Sequence, residues 1–211
     1  MAVRDEILSG IRASLGRKEG QAPPVPPPVR IRVPEVALER RIETFRASLE
    51  KLNGKVHRAG SKDDARQYVE RVLEGRSAVA SNAPFLRQCG IDGVVNVKAG
   101  GSDRLALREM CSTLDAGITS ADFALADTGS LVMISSNEEA RLVSLLPLLH
   151  IAVVPVERLI TGLDELFTLL PVPSERSSSM VFITGPSRTA DIEQILVRGV
   201  HGPGEIHVVL V

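Results

Sequence analysis

The sequence has few of the residues that hold redox centres and no long apolar run. Cys89 and Cys111 are the only cysteines in 211 residues, and two thiols cannot supply the four thiolates that an iron–sulfur cluster usually needs. Neither belongs to a CxxC pair, so both are expected to be buried or idle thiols in a reducing cytoplasm. The N-terminal stretch is too charged for a signal peptide, and no segment is apolar for long enough to span a bilayer. We therefore predict a cytoplasmic protein without a membrane span.

Aromatic residues and an excess of either charge are also missing. Tryptophan is absent and aromatic residues make up only 3% of the chain, which leaves little material for stacking bases or sugars. The 25 basic and 26 acidic residues nearly cancel, so no long-range field draws the molecule toward nucleic acid. The four histidines lack the paired spacing of metal ligands. Neither nucleic-acid binding nor a metal site is expected, and His150, at the head of an apolar run, is interpreted as a core histidine.

Three segments differ in composition along the chain. Residues 19–34 contain six prolines and are predicted to form an extended linker of polyproline type. Residues 1–18 before it are predicted to form a short amphipathic helix, which could dock on this chain, a second copy or a partner, or remain a frayed arm. Residues 35–211 after it are long enough for one substantial core and are predicted to form a single α/β domain. The apolar positions of the first helix are Val3, Ile7, Leu8, Ile11 and Leu15.

Predicted strands and helices alternate throughout the third segment. Apolar runs at 151–154 and 180–183 are apolar on both faces, which is typical of a mostly parallel sheet covered by helices on both faces. The runs at 116–125 and 130–134 are spaced as a hairpin or bend. The other strands are predicted at 55–59, 77–80, 94–97 and 206–211. Helices are predicted at 36–52, 62–73, 83–89, 104–111, 138–145, 163–169 and 190–197.

The turn at 184–189 is the strongest candidate for chemistry. In an open α/β sheet the ligand crevice lies beyond the carboxyl ends of the strands, and this turn leaves one predicted strand to open a predicted helix. Gly185 allows close backbone approach, and Ser187 or Thr189 could cap the helix and offer a hydroxyl to an anion. Arg188 adds a fork of donors suited to a carboxylate or phosphate. The turn is therefore a candidate anion site at the carboxyl edge of the sheet.

A structural interpretation of the same turn has equal weight. Asp191 and Glu193 would place two negative charges near the predicted helix start, where they would repel a phosphate but complement the helix dipole. The turn lacks the lysine of a Walker loop, and no GxGxxG occurs in the chain, so nucleotide binding is not specifically indicated. A well-capped helix without a ligand remains an alternative.

Two further turns carry polar residues. Three glycines and a proline surround His201 within residues 199–204, where the imidazole could exchange protons near neutral pH or bond a backbone carbonyl. Asp127 stands in a second turn and presents a carboxylate beside two hydroxyls and a glycine. His201 and Asp127 are thus the candidate catalytic residues. The neighbouring candidates for anion binding are Thr119, Thr128, Gly129 and Ser130.

Five short segments carry a resemblance to a known family, and they are Gly117–Ala121, Asp127–Ser130, Ser144–Ile151, Gly185–Glu193 and Gly199–Pro203. In order and spacing they resemble the lactate-utilisation (LutC-like, LUD-domain) family over roughly the last half of the chain. Asp127 departs from the pattern, since the family's usual residue there is glutamate.

The resemblance implies both a fold and a pathway. It implies a fold like that of ribose-phosphate isomerase, glucosamine-phosphate deaminase and the CoA transferases. It also implies a role in oxidising L-lactate to pyruvate beside iron–sulfur partner subunits, with the clusters in those partners and no cofactor in this chain. Under this interpretation a small carboxylate or phosphate is the ligand of the site that includes Arg188.

Two other functions remain open, and the sequence does not decide whether the chain is an enzyme. On the same scaffold a stand-alone transferase, isomerase or ligase would bind a phosphorylated, folate or CoA ligand. In a non-catalytic assembly protein, the same residues would instead stabilise the conformation of the turns. The three hypotheses differ in whether changes at Arg188 or His201 affect turnover, activity of the isolated chain, or stability alone.

Overall fold

The computed structural model describes residues 3–18, 20–22, 33–190, 196–199 and 201–211. The chain divides into two compact units, Met1–Ile31 and Arg32–Val211. In the first unit, helix α1 (Val3–Ser14) matches the predicted amphipathic helix and ends just before Gly16, which adopts the left-handed conformation common after helices. Most of the predicted proline-rich linker lies outside the described residues.

The second unit is built on a six-stranded parallel sheet. In spatial order its strands are β1 (Lys55–Arg58), β12 (Glu205–Leu210), β7 (Leu149–Val154), β4 (Ala116–Thr119), β2 (Ala78–Ala80) and β3 (Val97–Ala99). The register sets Ala80 opposite both Ala99 and Ile118, so β2, β3 and β4 end at the same edge. The mostly parallel α/β architecture predicted from the sequence is therefore confirmed.

The described part of this unit contains six α-helices, and α3 shows how local sequence signals set the bounds of a helix. Helix α3 occupies its predicted range because Ser61 caps its first turn, accepting a hydrogen bond from the Asp64 amide at 3.1 Å. Glu74, in the left-handed conformation, ends it. None of the described helices has the length and apolar character needed to cross a bilayer. The helices are α2 (Leu38–Lys51), α3 (Lys62–Leu73), α4 (Pro84–Gln88), α5 (Arg104–Thr113), α6 (Arg141–Leu145) and α7 (Leu163–Leu169).

A second sheet of four strands holds the predicted hairpin. In spatial order it contains β8 (Leu159–Ile160), β5 (Phe123–Leu125), β6 (Ser130–Ile134) and β9 (Met180–Ile183). Strands β5 and β6 pair antiparallel, which confirms the hairpin. The predicted run at 116–125 divides between the two sheets. Strand β9, predicted as a buried parallel strand, is instead a partly exposed edge strand antiparallel to β6, because a short apolar run does not specify its sheet.

Apolar layers cover both faces of the six-stranded sheet. Helices α3 and α4 pack on one face, and on the other lie α2, the second sheet and the pair α5 and α6. Each large aliphatic side chain buried in these layers stabilises the fold by about 1.5–3 kcal/mol. Cys89 and Cys111 lie inside two of them as buried free thiols, and burial raises the pKa of both. They are the buried thiols that the sequence predicts.

Three predicted segments require correction. The helix expected at 190–197 is wrong where the structure describes it, because β10 (Arg188–Ala190) pairs antiparallel with β11 (Leu196–Arg198); residues 191–195 lie outside the described residues. The β-branched residues of this segment favour strands over its short helical periodicity. The strand expected at 94–97 is β3, three residues later, and α6 begins three residues after its predicted start.

Candidate functional site

A cavity lies at the carboxyl edge of the six-stranded sheet. Three strands, β2, β3 and β4, end together there, and the Gly100 amide after β3 donates to the Ala80 carbonyl of β2 at 2.7 Å. The next residues turn into α5 and border a cavity of about 820 Å³. We name it the carboxyl-edge cavity, lined among others by Gly101, Ser102, Arg104, Ser135, Asn137 and Arg141. Its position is the one that open parallel sheets favour for ligands.

The loop at residues 135–140, between β6 and α6, forms the opposite wall of the cavity. Two backbone amides beyond the strand ends hold this loop against the sheet. The Asn82 amide, after β2, donates to the Glu138 carbonyl at 2.9 Å. The Ser120 amide, after β4, donates to Oε1 of Glu139 at 2.8 Å. Ser136 steadies the loop from within, since its Oγ accepts from the amides of both glutamates.

The carboxyl group of Glu139 has an unusually high pKa. Burial raises its pKa to about 7, against the opposing effects of the Ser120 amide and the nearby Ser81 hydroxyl. The negative charge of Asp122 raises it further and the positive charge of Arg158 lowers it. A carboxyl with such a pKa exchanges protons near neutral pH, and perturbed groups of this kind cluster at functional sites.

Four buried polar atoms at this end of the sheet, one of them in the Glu139 carboxyl itself, lack hydrogen-bond partners among the described residues. Within the described residues, no hydrogen bond reaches Oε2 of Glu139 or the hydroxyl oxygens of Ser81, Ser120 and Ser135. Most buried polar atoms in native proteins are paired, so a group of exceptions is a feature that requires an explanation. Since Ser135 also lines the cavity, the group extends from the strand ends to the cavity wall.

Positive charge at the cavity comes from two arginines. Arg104 and Arg141 are the first residues of α5 and α6, and both side chains are exposed. Neither forms an ion pair with a residue in the described ranges, whereas Arg58 and Arg66 pair with carboxylates. Two uncompensated guanidinium groups at one cavity suit a carboxylate or a phosphate.

Among the predicted site residues, Thr119 lies closest to this edge, but its side chain is in the interior. It ends β4 and is fully buried, with its Oγ1 2.8 Å from Nε2 of His150. Burial lowers the pKa of His150 to about 4, so the imidazole is neutral at physiological pH. His150 is thus a core histidine, as the sequence predicts, with Thr119 as the partner of Nε2; its buried Nδ1 has no partner among the described residues.

Thr128 and Ser130 belong to a second, smaller pocket. The hydroxyl of Ser130 donates to Thr128 Oγ1 at 2.8 Å and lies 2.7 Å from Thr184 Oγ1. These three hydroxyl residues line a pocket of about 360 Å³, which we name the hydroxyl pocket. Its apolar walls come from Leu125, Leu163, Phe167 and Phe182. Gly129, between the two predicted residues, has φ +68° and an added Cβ would lie 2.6 Å from the Leu49 amide nitrogen.

Asp127 is held outside both pockets. Its amide donates to the Thr161 carbonyl at 3.0 Å, and its own carbonyl accepts from the Ser48 hydroxyl at 3.0 Å. The carboxylate lies against Gly162, where an added Cβ would be 2.4 Å from Oδ2. Asp127 therefore has a structural position between α2 and the start of α7.

The turn at 185–188 packs on the end of α2. Gly185 has φ +90°, and an added Cβ would lie 2.9 Å from the Leu52 side chain. The Arg188 guanidinium donates to the Leu52 carbonyl. Thr189 follows in β10, and its side chain is outside what the structure describes. Where the structure describes it, this turn leads into strand β10 and not into a helix that Ser187 or Thr189 could cap; anion binding by these residues stays a prediction.

The turn around His201 lies at the opposite edge of the sheet from the cavity. The Gly204 amide donates to the Leu148 carbonyl at 3.0 Å, which places this turn before β12 and β7. Ser187 joins it, since the Ser187 amide donates to the Pro203 carbonyl at 2.8 Å. His201 itself is exposed. The predicted residues are therefore distributed over several places instead of one carboxyl-edge site.

The sequence contains a signal for the residues that were missed. Ser81 and Asn82 directly follow one apolar run, and Ser135–Glu139 directly follow another, so both segments leave strands of the fold. What the sequence does not show is the long-range contact between Ser120 and Glu139. Among the described residues, no group of three or more histidine, cysteine or acidic side chains could hold a metal ion.

Comparison with known proteins gives consistent matches. Residues 42–211 match a family model described as the LUD domain. Lactate utilization protein C of Halalkalibacterium halodurans is 36% identical over 152 residues, covering 67% of this chain and 66% of that protein. Lactate utilization protein C of Oceanobacillus iheyensis is 29% identical over 245 residues, covering 99% of this chain and 97% of that protein.

A solved structure supports the architecture independently. The crystal structure of a DUF162 family protein from Deinococcus radiodurans superposes with a TM-score of 0.65 and 15% sequence identity. The match covers 83% of this chain and 99% of that chain. At this level of identity the similarity concerns the fold alone.

Proposed function

The chain belongs to the LUD-domain family, and from that membership we propose that it acts in the utilisation of L-lactate, binding a small anion in the carboxyl-edge cavity. Two relatives named lactate utilization protein C support the pathway, one of them aligned over nearly the whole of both chains. The sequence resemblance implies the same pathway. The site is a separate part of the proposal, because it depends on the geometry of this chain.

The single observation that carries the site is the pair of arginines without ion-pair partners. Arg104 and Arg141 border one cavity at the ligand edge of the sheet, and neither forms an ion pair with a described residue. Ser102 and Asn137 line the same cavity, and their hydroxyl and amide groups can bond further oxygens of an anion. The cavity of about 820 Å³ has room for lactate or pyruvate and also for a larger phosphorylated ligand.

Electron transfer would be assigned to partner subunits. Oxidation of lactate to pyruvate releases two electrons and two protons, and an iron–sulfur cluster needs more thiolates than Cys89 and Cys111 provide. We therefore propose iron–sulfur partners, with this chain supplying the anion site or an assembly surface. Its own residues would bind and orient the carboxylate.

Growth of the host on L-lactate tests the pathway and the site together. Deleting the gene should abolish this growth, and the wild-type gene should restore it. A double variant, Arg104→Ala with Arg141→Ala, should fail to restore it. Arg108→Ala is the matched control, because Arg108 is exposed one turn later on α5 and is not among the lining residues. Full growth of the double variant would exclude the cavity as the functional site.

Calorimetry tests the site in the isolated protein. Titration with L-lactate, pyruvate or sulfate should give a saturable signal, and each arginine-to-alanine change should weaken affinity by about 10-fold or more, since a hydrogen bond to a charged group contributes about 1.5–3 kcal/mol. Arg108→Ala should bind as the wild type does. Equal affinity in all variants would show that the anion binds elsewhere.

A further inference from the structure

The two oxygens of the Glu139 carboxyl group have different surroundings. Oε1 of Glu139 accepts from the Ser120 amide at 2.8 Å, while Oε2 is buried and has no partner among the described residues. The Ser81 hydroxyl lies nearby and is likewise buried without a partner in the described chain. The carbonyl oxygen of a neutral carboxyl accepts better than its hydroxyl oxygen, so the Ser120 amide at Oε1 favours the placing of a proton of Glu139 on Oε2.

We propose that the carboxyl-edge cavity takes up a proton together with its anion, and that Oε2 of Glu139 receives this proton. The inference rests on the proposed function in one respect, namely that an anion binds in this cavity. Glu139 acts as a positioning residue, because its loop supplies Ser135 and Asn137 and leads directly into Arg141.

The charges facing Glu139 favour this coupling. Asp122 follows β4 and lies close enough to disfavour a second negative charge. Burial raises the pKa of Asp122 as well, although its Oδ2 accepts from the Ile134 amide at 2.7 Å. The opposing cation is Arg158, whose guanidinium is already engaged by the Ala121 carbonyl at 2.6 Å. Ser81 and Ser120, from the ends of β2 and β4, bring no charge.

An anion in the cavity adds a further negative charge to this set. Charges interact more strongly at a partly buried site than in bulk water, so the anion opposes ionisation of Glu139. Glu139 starts from a pKa of about 7 and is therefore partly ionised in the empty site at neutral pH. Binding shifts it toward the neutral form, and the proton comes from the solvent. The neutral carboxyl can then donate from Oε2 to the Ser81 hydroxyl.

Proton uptake is measured by calorimetry in two buffers with very different ionisation enthalpies, such as PIPES and imidazole, at about pH 7.5. The probes are L-lactate and sulfate, which do not titrate near this pH. The wild-type protein should take up about half a proton per anion, and its affinity should fall as the pH rises from about 6 to 8.5. Glu139→Gln should bind the anion with the same enthalpy in both buffers and with little pH dependence.

Asp122→Asn is a second test that leaves Glu139 itself unchanged, so its result does not depend on whether Glu139→Gln folds. Removing this neighbouring charge should lower the pKa of Glu139, so proton uptake at about pH 7.5 should decrease while anion binding persists. Arg108→Ala should leave proton uptake unchanged.

The outcomes separate this inference from the proposed function. Anion binding with identical enthalpies in both buffers would overturn the proton coupling and leave the anion site intact. Proton uptake that persists in Glu139→Gln would assign the proton to another group and overturn the role of Glu139. Absence of any anion binding by the wild-type protein would overturn the site itself and the coupling with it.

Discussion

At the amino edge of the six-stranded sheet, Glu205 is paired with neighbouring charged groups, whereas at the carboxyl ends of β2 and β4 the Glu139 carboxyl forms no ion pair with a described residue. Glu205 begins β12 and accepts from Lys55 at 2.6 Å and from His207 at 3.0 Å. Tyr68 extends this hydrogen-bond network, because its hydroxyl lies 2.9 Å from Nδ1 of His207. At the carboxyl edge the buried oxygens around Glu139 lack such partners within the described residues.

The pKa values differ in the same way. His207 and Lys55 lower the pKa of Glu205 to about 2, whereas burial raises the pKa of Glu139 to about 7. The fold therefore stabilises the charged form of Glu205 at the amino edge and destabilises the charged form of Glu139 at the carboxyl edge. Groups that a fold leaves unsatisfied are those a ligand can still engage, so the contrast distinguishes an edge that stabilises from an edge that can bind.

The largest expected effect is on stability, from a glycine beside the cavity. An added Cβ at Gly117, in β4, would lie 1.8 Å from the Val143 carbonyl oxygen in α6. Gly117→Ala should therefore displace the helix that begins with Arg141 and lower the free energy of unfolding by about 3 kcal/mol. Chemical denaturation measures this loss.

The matched change at the amino edge is Gly202→Ala. An added Cβ there would meet Ser187 at 3.4 Å, an ordinary contact, so the effect should stay within about 0.5 kcal/mol. Similar losses in the two variants would mean that the edges are packed alike.

The second effect concerns pH and Glu139. Its pKa is about 7 in the folded protein, above the ordinary glutamate pKa of 4.5, so the folded state binds more protons between these values. Its contribution to stability is therefore full below about pH 4.5 and is lost as the pH rises through 7. The Glu139→Gln variant has no carboxyl group to ionise at this position, so it does not show this loss of stability as the pH rises. Relative to wild type, the variant should become more stable by about 2 kcal/mol between about pH 5 and pH 8, measured by denaturation at several pH values.

The opposite dependence is expected at His207. Burial is the main cause that lowers the pKa of this histidine, so the unfolded chain binds its proton first as the pH falls. Its contribution to stability is full above about pH 6.5 and decreases as the pH falls toward the lowered folded value. His207→Gln should therefore cost about 1 kcal/mol at about pH 7.5 and less at about pH 5.5. A cost that grows on acidification would contradict the assigned direction.

The smallest effect is expected at Arg188. Its guanidinium bonds the Leu52 carbonyl on an exposed surface, so Arg188→Ala should lower stability by about 0.5–1 kcal/mol. Affinity for L-lactate or sulfate should not change, in contrast to Arg141→Ala. If Arg188→Ala weakened anion binding more than Arg141→Ala, the site predicted from the sequence would be preferred over the carboxyl-edge cavity.

Much of the fold is readable from the sequence because its signals are local. Helix α3 follows from the Ser61 cap and its apolar period, and β7 follows from a continuous apolar run. The sequence predicts a helix at 190–197, in the segment that forms β10 and β11, because a helical period over only eight residues is a weak signal. The order of strands and the second sheet depend on distant pairings that no local pattern specifies.

The site was harder to predict than the fold. The general rule that ligands bind beyond the carboxyl ends of parallel strands could be applied to the sequence. The rule does not say which of the turns forms the site. Glu139 stood in a predicted helix, where a glutamate near the start is ordinary. Its significance comes from the Ser120 amide, nineteen positions away along the chain, and from its burial beside the strand ends. Neither property is visible in the sequence.

Strand β12 lies between β1 and β7, although it follows every other strand along the chain. During synthesis, β1 and β7 emerge from the ribosome without the strand that joins them. Closure of the sheet therefore waits until residue 210 is available, and the early part of the chain exposes unpaired strand edges meanwhile. Stop codons or frameshifts shortly before β12 should thus yield insoluble products instead of shortened working proteins, with a sharp boundary at this strand.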